Sequence, residues 1–218
     1  MGILRSIIVI AAMLLVSGQV AAQPRPPKGL VIGDSLFAWN RLANGAVSDS
    51  IALQTGAEVV DRSRVAGFVL TGGIERQFMA GDWDWVVMNG GGNDLWLGCG
   101  CRACEASLTT MISQDGKSGR IPDLVTQILA TGARVAYVGY LRSPEIMTPI
   151  EHCKKDGDEL ESRIRKLAST TSRTHFISLE DLVPPRGQGY FSFDLIHPSR
   201  MSSFLIGRRV SELIAKER

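Results

Sequence analysis

Short apolar segments alternate with amphipathic helical patterns along most of this chain of 218 residues. Five segments have the length and composition of buried strands, namely residues 29–32, 57–61, 85–88, 134–138 and 175–179. Helical patterns occupy residues 36–54, 121–131, 158–170 and 199–216. This alternation predicts one α/β domain in which helices cover both faces of a parallel sheet. Ligands of such sheets bind beyond the carboxyl ends of the strands.

Ser35 lies at one of these carboxyl ends, where the first strand meets the first helix. The preceding Gly33 permits a sharp turn, and a helix that begins at Ser35 leaves backbone N–H groups free to stabilise an oxyanion. The junction by itself is equally typical of a helix cap formed by Asp34 or Ser35. A catalytic role for Ser35 therefore depends on finding a base for it.

Three histidines could supply that base: His152, His175 and His197. We expect His175 to be structural because it opens a predicted strand, and His152 adjoins Cys153 with no acid placed to orient it. His197 follows Asp194 by three residues, so the carboxylate can hold the imidazole Nδ1–H while Nε2 accepts the serine proton. An isolated Asp-x-x-His pair also occurs on surfaces without a role.

Two further residues are candidate donors to an oxyanion. Asn93 follows a glycine-rich turn after the third strand, and its side-chain amide could donate to negative oxygen. Gly67 follows the second strand, where the lack of a side chain lets a backbone N–H approach a ligand. A turn residue that stabilises its own loop is the alternative interpretation of Asn93.

Taken together and in order, these segments resemble the SGNH hydrolases, also called the GDSL lipase/esterase family. The likeness is carried by four blocks that span residues 33–198. They are Gly33-Asp34-Ser35-Leu36, Gly67 within Val65-Ala66-Gly67, Gly91-Gly92-Asn93-Asp94, and Asp194-Leu195-Ile196-His197-Pro198. The tetrapeptide alone is a weak signal, whereas the ordered set is specific.

The resemblance implies a role for each matching residue. Ser35 would be the nucleophile, His197 the base and then the acid, and Asp194 the group that orients it. The Ser35 N–H, the Gly67 N–H and the Asn93 side chain would form the oxyanion hole. It also implies a flavodoxin-like three-layer α/β/α sandwich with a central, mostly parallel five-stranded sheet, and acyl transfer to water with no metal and no cofactor.

Residues 1–22 predict a secretory signal peptide. Arg5 precedes a short apolar run, and the small residues Ala21 and Ala22 precede the expected cleavage site. The apolar run is too short to span a bilayer, which takes about 20 residues. Removing 22 residues from 218 leaves one domain at 23–218, in a periplasmic or secreted location.

The charge of the mature chain is close to neutral. The 24 Lys and Arg residues exceed the 22 Asp and Glu residues by two, and Arg5 is lost with the leader. This balance gives no electrostatic reason to expect nucleic acid or an anionic membrane surface as a partner. We expect a small-molecule, lipid or glycan ester instead, and the sequence leaves the oligomeric state open.

The cysteines also bear on location. In an exported chain they are expected to pair as two disulfides, with three possible connectivities among Cys99, Cys101, Cys104 and Cys153. A zinc site that uses the four thiolates, with His152 beside them, is the alternative. The C-x-C-x-x-C spacing lacks the paired knuckles of structural zinc sites, so disulfides are favoured.

Four aromatic residues near the motifs could form an acyl pocket: Phe37, Trp39, Phe68 and Trp96. Phe37 and Trp39, on the first helix, are expected to pack within the sandwich. Trp96, two residues after the asparagine block, is the candidate substrate contact.

Other functions fit the sequence less well or equally well. The α/β-hydrolase pattern Gly-x-Ser-x-Gly is excluded because Phe37 occupies the position of its second glycine. A catalytically inactive binding protein of the same fold would be favoured if the Ser, His or Asn of the motif blocks were missing. All three are present, as Ser35, His197 and Asn93. An acyltransferase that uses the same acyl-serine with a glycan hydroxyl as acceptor stays open beside the esterase.

Overall fold

A computed structural model describes residues 25–217. Its centre is a sheet of five parallel strands in the order β2-β1-β3-β4-β5. The strands are β1 (Lys28–Ile32), β2 (Glu58–Asp61), β3 (Trp85–Met88), β4 (Arg134–Val138) and β5 (Thr174–Ile177). The three middle strands are nearly continuous buried apolar runs, as expected of a parallel sheet covered on both faces.

Six α-helices within residues 25–217 form the two outer layers. They are α1 (Ser35–Ala38), α2 (Val47–Thr55), α3 (Glu105–Met111), α4 (Arg120–Ala130), α5 (Lys154–Thr170) and α6 (Arg200–Lys216). Apolar residues of α1, α2 and α6 join one core cluster, and those of α3, α4 and α5 join the other. Alternate side chains of the strands contribute to each cluster, for example Val31 to the first and Leu30 to the second. The predicted three-layer α/β/α sandwich is thus confirmed.

The helical prediction for residues 36–54 was wrong as a single element. The segment is divided into α1, a 3₁₀ turn at Arg41–Ala43 and α2. Asn44 has a left-handed backbone with φ of 49°, which ends the turn before Gly45. The Asn-Gly pair is a turn signal that overrides the apolar periodicity around it.

The order in which successive strands are added to the sheet changes side after β2. The connection from β1 leads to β2 on one side, and β3 then returns to the other side of β1. This reversal creates a topological switch point between the carboxyl ends of β1 and β3, where ligands of open α/β sheets bind. Ser35 follows β1 and Asn93 follows β3, so the topology places both at this point.

Two disulfides join the four cysteines, Cys99 with Cys104 and Cys101 with Cys153. This pairing selects one of the three connectivities and leaves none of the four thiols free as a metal ligand. Within the described residues, no helix is both long enough and apolar enough to cross a membrane. The leader predicted at residues 1–22 lies outside the part of the chain that the structure describes.

Candidate active site

Ser35 is the first residue of α1 and is almost fully buried at the end of β1. The turn that delivers it is held by the side chain of Gln77, which accepts from the Gly33 N–H at 2.6 Å and donates to the Gly33 carbonyl at 2.9 Å. A Cβ on Gly33 would lie 1.9 Å from the side-chain oxygen of Asn89. Glycine is therefore required at this position because the turn packs directly against Asn89.

Asp34 directly precedes Ser35 in the turn, and its carboxylate is buried. Its Oδ1 accepts from the backbone N–H of Leu36 at 2.9 Å and from the amide of Asn89 at 2.8 Å. Its Oδ2 accepts from the Tyr140 hydroxyl at 2.6 Å. Burial raises the pKa of Asp34, and these hydrogen bonds oppose the rise. The carboxylate thus ties the turn to β3 through Asn89 and to the end of β4 through Tyr140.

Tyr140 also reaches the asparagine block. Its hydroxyl oxygen accepts from the Gly92 N–H at 2.8 Å while its proton goes to Asp34. Burial raises the pKa of Tyr140 well above its usual value, so the phenol stays protonated and remains a donor. One hydroxyl therefore connects the serine turn with the turn that carries Asn93.

His197 and Asp194 form a close pair in the loop before α6. The imidazole Nδ1 lies 2.5 Å from Asp194 Oδ2, and Asp194 Oδ1 accepts from the backbone N–H groups of Ile196 and His197 at 3.0 Å. Burial alone would raise the pKa of Asp194, but its hydrogen bonds with His197 and Ile196 outweigh burial and hold that pKa below its ordinary value. An ionised Asp194 fixes the ring with Nδ1 protonated and Nε2 free to accept a proton.

Trp39 covers one face of His197. The indole and imidazole rings are parallel within 8° and their centroids are 3.7 Å apart. The expectation that Trp39 packs inside the sandwich was wrong, whereas Phe37 is fully buried in the core as expected. Residues 39 and 197 are far apart in sequence, so the helical pattern around Trp39 carried no sign of this stacking.

Asn93 and Gly67 are neighbours. The Asn93 amide donates to the Gly67 carbonyl at 2.9 Å and makes a longer contact of 3.4 Å with the Val65 carbonyl. Asp94 fixes this loop by accepting from the backbone N–H groups of Val69 and Leu70, both at 2.8 Å. The Gly67 N–H donates to the Arg64 carbonyl at 3.1 Å, so it is engaged in a turn in this state.

The Ser35 backbone N–H differs from the other two expected donors. Among the described residues, it has no hydrogen-bond acceptor, as expected for the first N–H of a helix. A Cβ on Gly67 would lie 2.9 Å from the Gly33 carbonyl, which shows how closely the Gly67 loop packs on the serine turn. The three expected donors thus belong to segments that touch one another.

A pocket of about 240 Å³ opens beside these residues. Ser35, Asn93, Trp96 and His197 line it together, and Asp194 is joined to it through His197. Much of the remaining wall comes from the β4–β5 connection and the start of α5. Most of the wall surface is apolar, and these segments also contribute the charged residues Arg142, Glu145, Glu151 and Lys154. Of the four aromatic residues near the motifs, only Trp96 contributes to this pocket.

The other two histidines lie elsewhere. His175 is half-buried in β5, where its ring tilts against Trp85 with centroids 5.6 Å apart. His152 is exposed in the turn before α5. Neither lines the pocket, which agrees with the choice of His197 as the candidate base.

A family model described as GDSL-like lipase/acylhydrolase matches residues 31–201 of this chain. The chain belongs to this family. The match includes all four sequence blocks, and the family's hydrolase activity is consistent with a serine, a histidine and an acid beside one pocket. No curated protein sequence matches the chain with significant similarity.

Solved structures of other proteins share the fold. A protein described as lipolytic and of the G-D-S-L family, from Desulfitobacterium hafniense, is 17% identical with a TM-score of 0.64 over 85% of this chain and 98% of its own. A carbohydrate acetylesterase from Sinorhizobium meliloti is 15% identical with a TM-score of 0.62, over 88% and 100%. An aryl esterase from M. smegmatis is 15% identical with a TM-score of 0.58, over 87% and 99%. At these identities the likeness concerns the fold of the family alone.

Proposed function

We propose that this protein is an exported serine esterase that hydrolyses carboxylic esters through an acyl-serine intermediate. The observation that carries the proposal is the hydrogen-bonded Asp194–His197 pair on the wall of the pocket that Ser35 also lines. A nucleophile, a base and an oriented carboxylate in this arrangement can perform acyl transfer without a further reactant except water.

In the first step, the Ser35 hydroxyl oxygen attacks the carbonyl carbon of the ester as its proton passes to Nε2 of His197. Ionised Asp194 stabilises the imidazolium through the hydrogen bond to Nδ1. The tetrahedral intermediate then collapses, the C–O bond to the alcohol breaks, and the imidazolium protonates the leaving oxygen. Ser35 is left acylated.

The negative oxygen of the intermediate needs donors that are already in place. The Ser35 N–H, which has no acceptor among the described residues, is suited to this role. Asn93 would contribute by exchanging its long contact with Val65 for the oxyanion. The Gly67 N–H would have to share or release its turn hydrogen bond to Arg64, so its contribution depends on a local shift.

In the second step, water replaces the alcohol. His197 removes a proton from the water, which attacks the acyl-serine carbonyl, and the proton then returns to Ser35 as the acid leaves. The same groups thus serve both half-reactions. If a glycan hydroxyl took the place of water, the protein would be an acyltransferase with the same intermediate.

Export is supported by the leader pattern at residues 1–22 and by the two disulfides, which form and persist in oxidising compartments. Cleavage of the leader would give a mature chain that begins at Gln23, which N-terminal sequencing of the exported protein would reveal. Candidate substrates are a lysophospholipid, a small acyl ester or an O-acetyl group on an envelope polysaccharide.

Hydrolysis of p-nitrophenyl esters by the oxidised mature protein tests the proposal. We expect turnover by the unmodified protein and a loss of about 10⁴-fold or more in kcat for Ser35→Ala and for His197→Ala. Ser192→Ala provides a matched control, because Ser192 lies outside the pocket. Equal activity of Ser35→Ala and the unmodified protein would contradict the proposal, and so would inactivity of both.

A further inference from the structure

The pocket beside Ser35 is larger than an acetyl group requires. Its volume of about 240 Å³ has room for at least about eight water molecules. A methylene group is about as bulky as a water molecule, so the pocket could hold an acyl chain of about six to ten carbons. Its walls include Leu95, Trp96, Leu141 and Ile150, which suit a hydrocarbon chain.

Gly157 contributes to the wall formed by α5. It is the fourth residue of this helix, where glycine is a poor helix former compared with alanine. Its backbone does not demand glycine, because φ lies outside the left-handed region and a Cβ would meet no atom within 4 Å. Packing and backbone geometry therefore leave Gly157 unexplained, and the space that it keeps open belongs to the pocket.

The segment that carries Trp96 is joined covalently to the start of α5. Cys153 immediately precedes α5 and lines the pocket, and its disulfide partner Cys101 lies five residues after Trp96. The helix is also held from the β4 side, since Arg142 pairs with Asp158 at 2.8 Å. These connections hold the start of α5, and Gly157 with it, against the segment that carries Trp96 and against the β4–β5 connection.

The acyl group, not the alcohol, is the part of the substrate that this space suits. The alcohol oxygen must lie against His197 when it receives its proton, and Phe193, whose ring centroid is 6.3 Å from that of the Trp39 indole stacked on His197, is 91% exposed. An alcohol leaving along this side reaches solvent directly. The acyl group has to stay on Ser35 until water attacks, and the apolar pocket provides a place for it.

We propose that Gly157 is a specificity-determining residue that opens the pocket to medium-chain acyl esters of about six to ten carbons. This inference rests on the proposed esterase function and adds the acyl class to it. A larger side chain at position 157 would shorten the acceptable chain because it would occupy the same space as the distal methylenes.

The test compares p-nitrophenyl acetate with p-nitrophenyl octanoate for Gly157→Ala and Gly157→Leu. In the unmodified protein, we expect kcat/KM to be higher for octanoate than for acetate. Each methylene buried in the pocket should raise kcat/KM about threefold to fourfold. The octanoate-to-acetate ratio of kcat/KM should fall by at least about tenfold in Gly157→Leu and by less in Gly157→Ala. Lys155→Leu, on the exposed side of α5, should leave the ratio unchanged.

A second series of octyl acetate and ethyl acetate identifies which part of the substrate uses the pocket. If Gly157→Leu discriminates against the long alcohol and not the long acyl chain, the acyl assignment is overturned. An unchanged acyl ratio in both Gly157 variants, with thermal melts showing that they fold, also overturns it while the esterase function stands. Absence of Ser35-dependent turnover on every ester removes the proposed function and this inference together.

Discussion

The hydroxyl of Tyr140 connects the serine turn of the candidate site with the turn that carries Asn93. It donates to Asp34, directly before the nucleophile, and accepts from Gly92, directly before Asn93. A hydroxyl with both functions satisfied in a buried site restrains the two turns relative to each other. We therefore regard Tyr140 as a positioning residue for Ser35 and Asn93.

Tyr140→Phe should lower kcat by about 10- to 100-fold with little change in KM, because the reacting groups lose their alignment and the substrate keeps its pocket. It should also reduce the free energy of unfolding at pH 7 by about 1–3 kcal/mol, since Asp34 and Gly92 lose a partner. Steady-state kinetics and urea unfolding measure the two effects. Tyr190→Phe is the control, because the hydrogen bonds of Tyr190 within the described residues involve its backbone and not its hydroxyl. Equal effects of both substitutions would contradict the positioning role.

The loss of stability in Tyr140→Phe should depend on pH. Burial already raises the pKa of Asp34 above 3.8, and the Tyr140 hydrogen bond opposes that rise. A carboxyl with a raised folded pKa loses stabilising effect as pH increases through that pKa, and the substitution raises the pKa further. The difference in unfolding free energy between the two proteins should therefore be larger at about pH 7 than at about pH 4.

The site residues that could be predicted from sequence are those that belong to a motif or lie close together in the chain. Asp194 and His197 are three positions apart, so their pairing follows from chain proximity. The partners of Asp34 were not predicted, because Asn89 and Tyr140 are separated from it by 55 and 106 residues. Such pairings arise only when the sheet brings the ends of β1, β3 and β4 together.

At the scale of elements, the strands were predicted more accurately than the helices around the site. Strands β3 and β4 have the bounds expected from their apolar runs. The segment that carries Trp96 begins with a π-helical turn at Asp94–Gly98, which no sequence pattern predicted, and it is crosslinked by the Cys99–Cys104 bond and tied to α5 by the Cys101–Cys153 bond. The sequence could not select the connectivity, because distances between thiols depend on the folded path of residues 99–153.

The two disulfides should contribute unequally to stability. The Cys101–Cys153 bond closes a loop with a sequence separation of 52, and the Cys99–Cys104 bond one of 5. Loop-closure entropy predicts a loss of about 4 kcal/mol for removal of the longer crosslink and about 2 kcal/mol for the shorter one. The double alanine variants, compared by guanidinium unfolding, measure both values. A larger loss for the Cys99–Cys104 pair would contradict this order.

At the scale of the molecule, the topology explains why residues from distant segments meet. The reversal of strand order after β2 leaves the carboxyl ends of β1 and β3 side by side, and the loop before α6 closes over them. Alternating strands and helices were sufficient to predict a parallel sheet covered on both faces, and the family resemblance added the five-stranded sandwich. The size of the pocket was not predictable, because it depends on the start of α5 and on the disulfide at Cys153.

The central claim is that Ser35 is an activated nucleophile. The most direct measurement is the intact mass of the oxidised mature protein after incubation with a fluorophosphonate, followed by peptide mapping. We predict one phosphonyl adduct on Ser35, formed much more slowly in His197→Ala because its base is missing. An adduct on another residue, or no adduct on folded protein, would contradict the account.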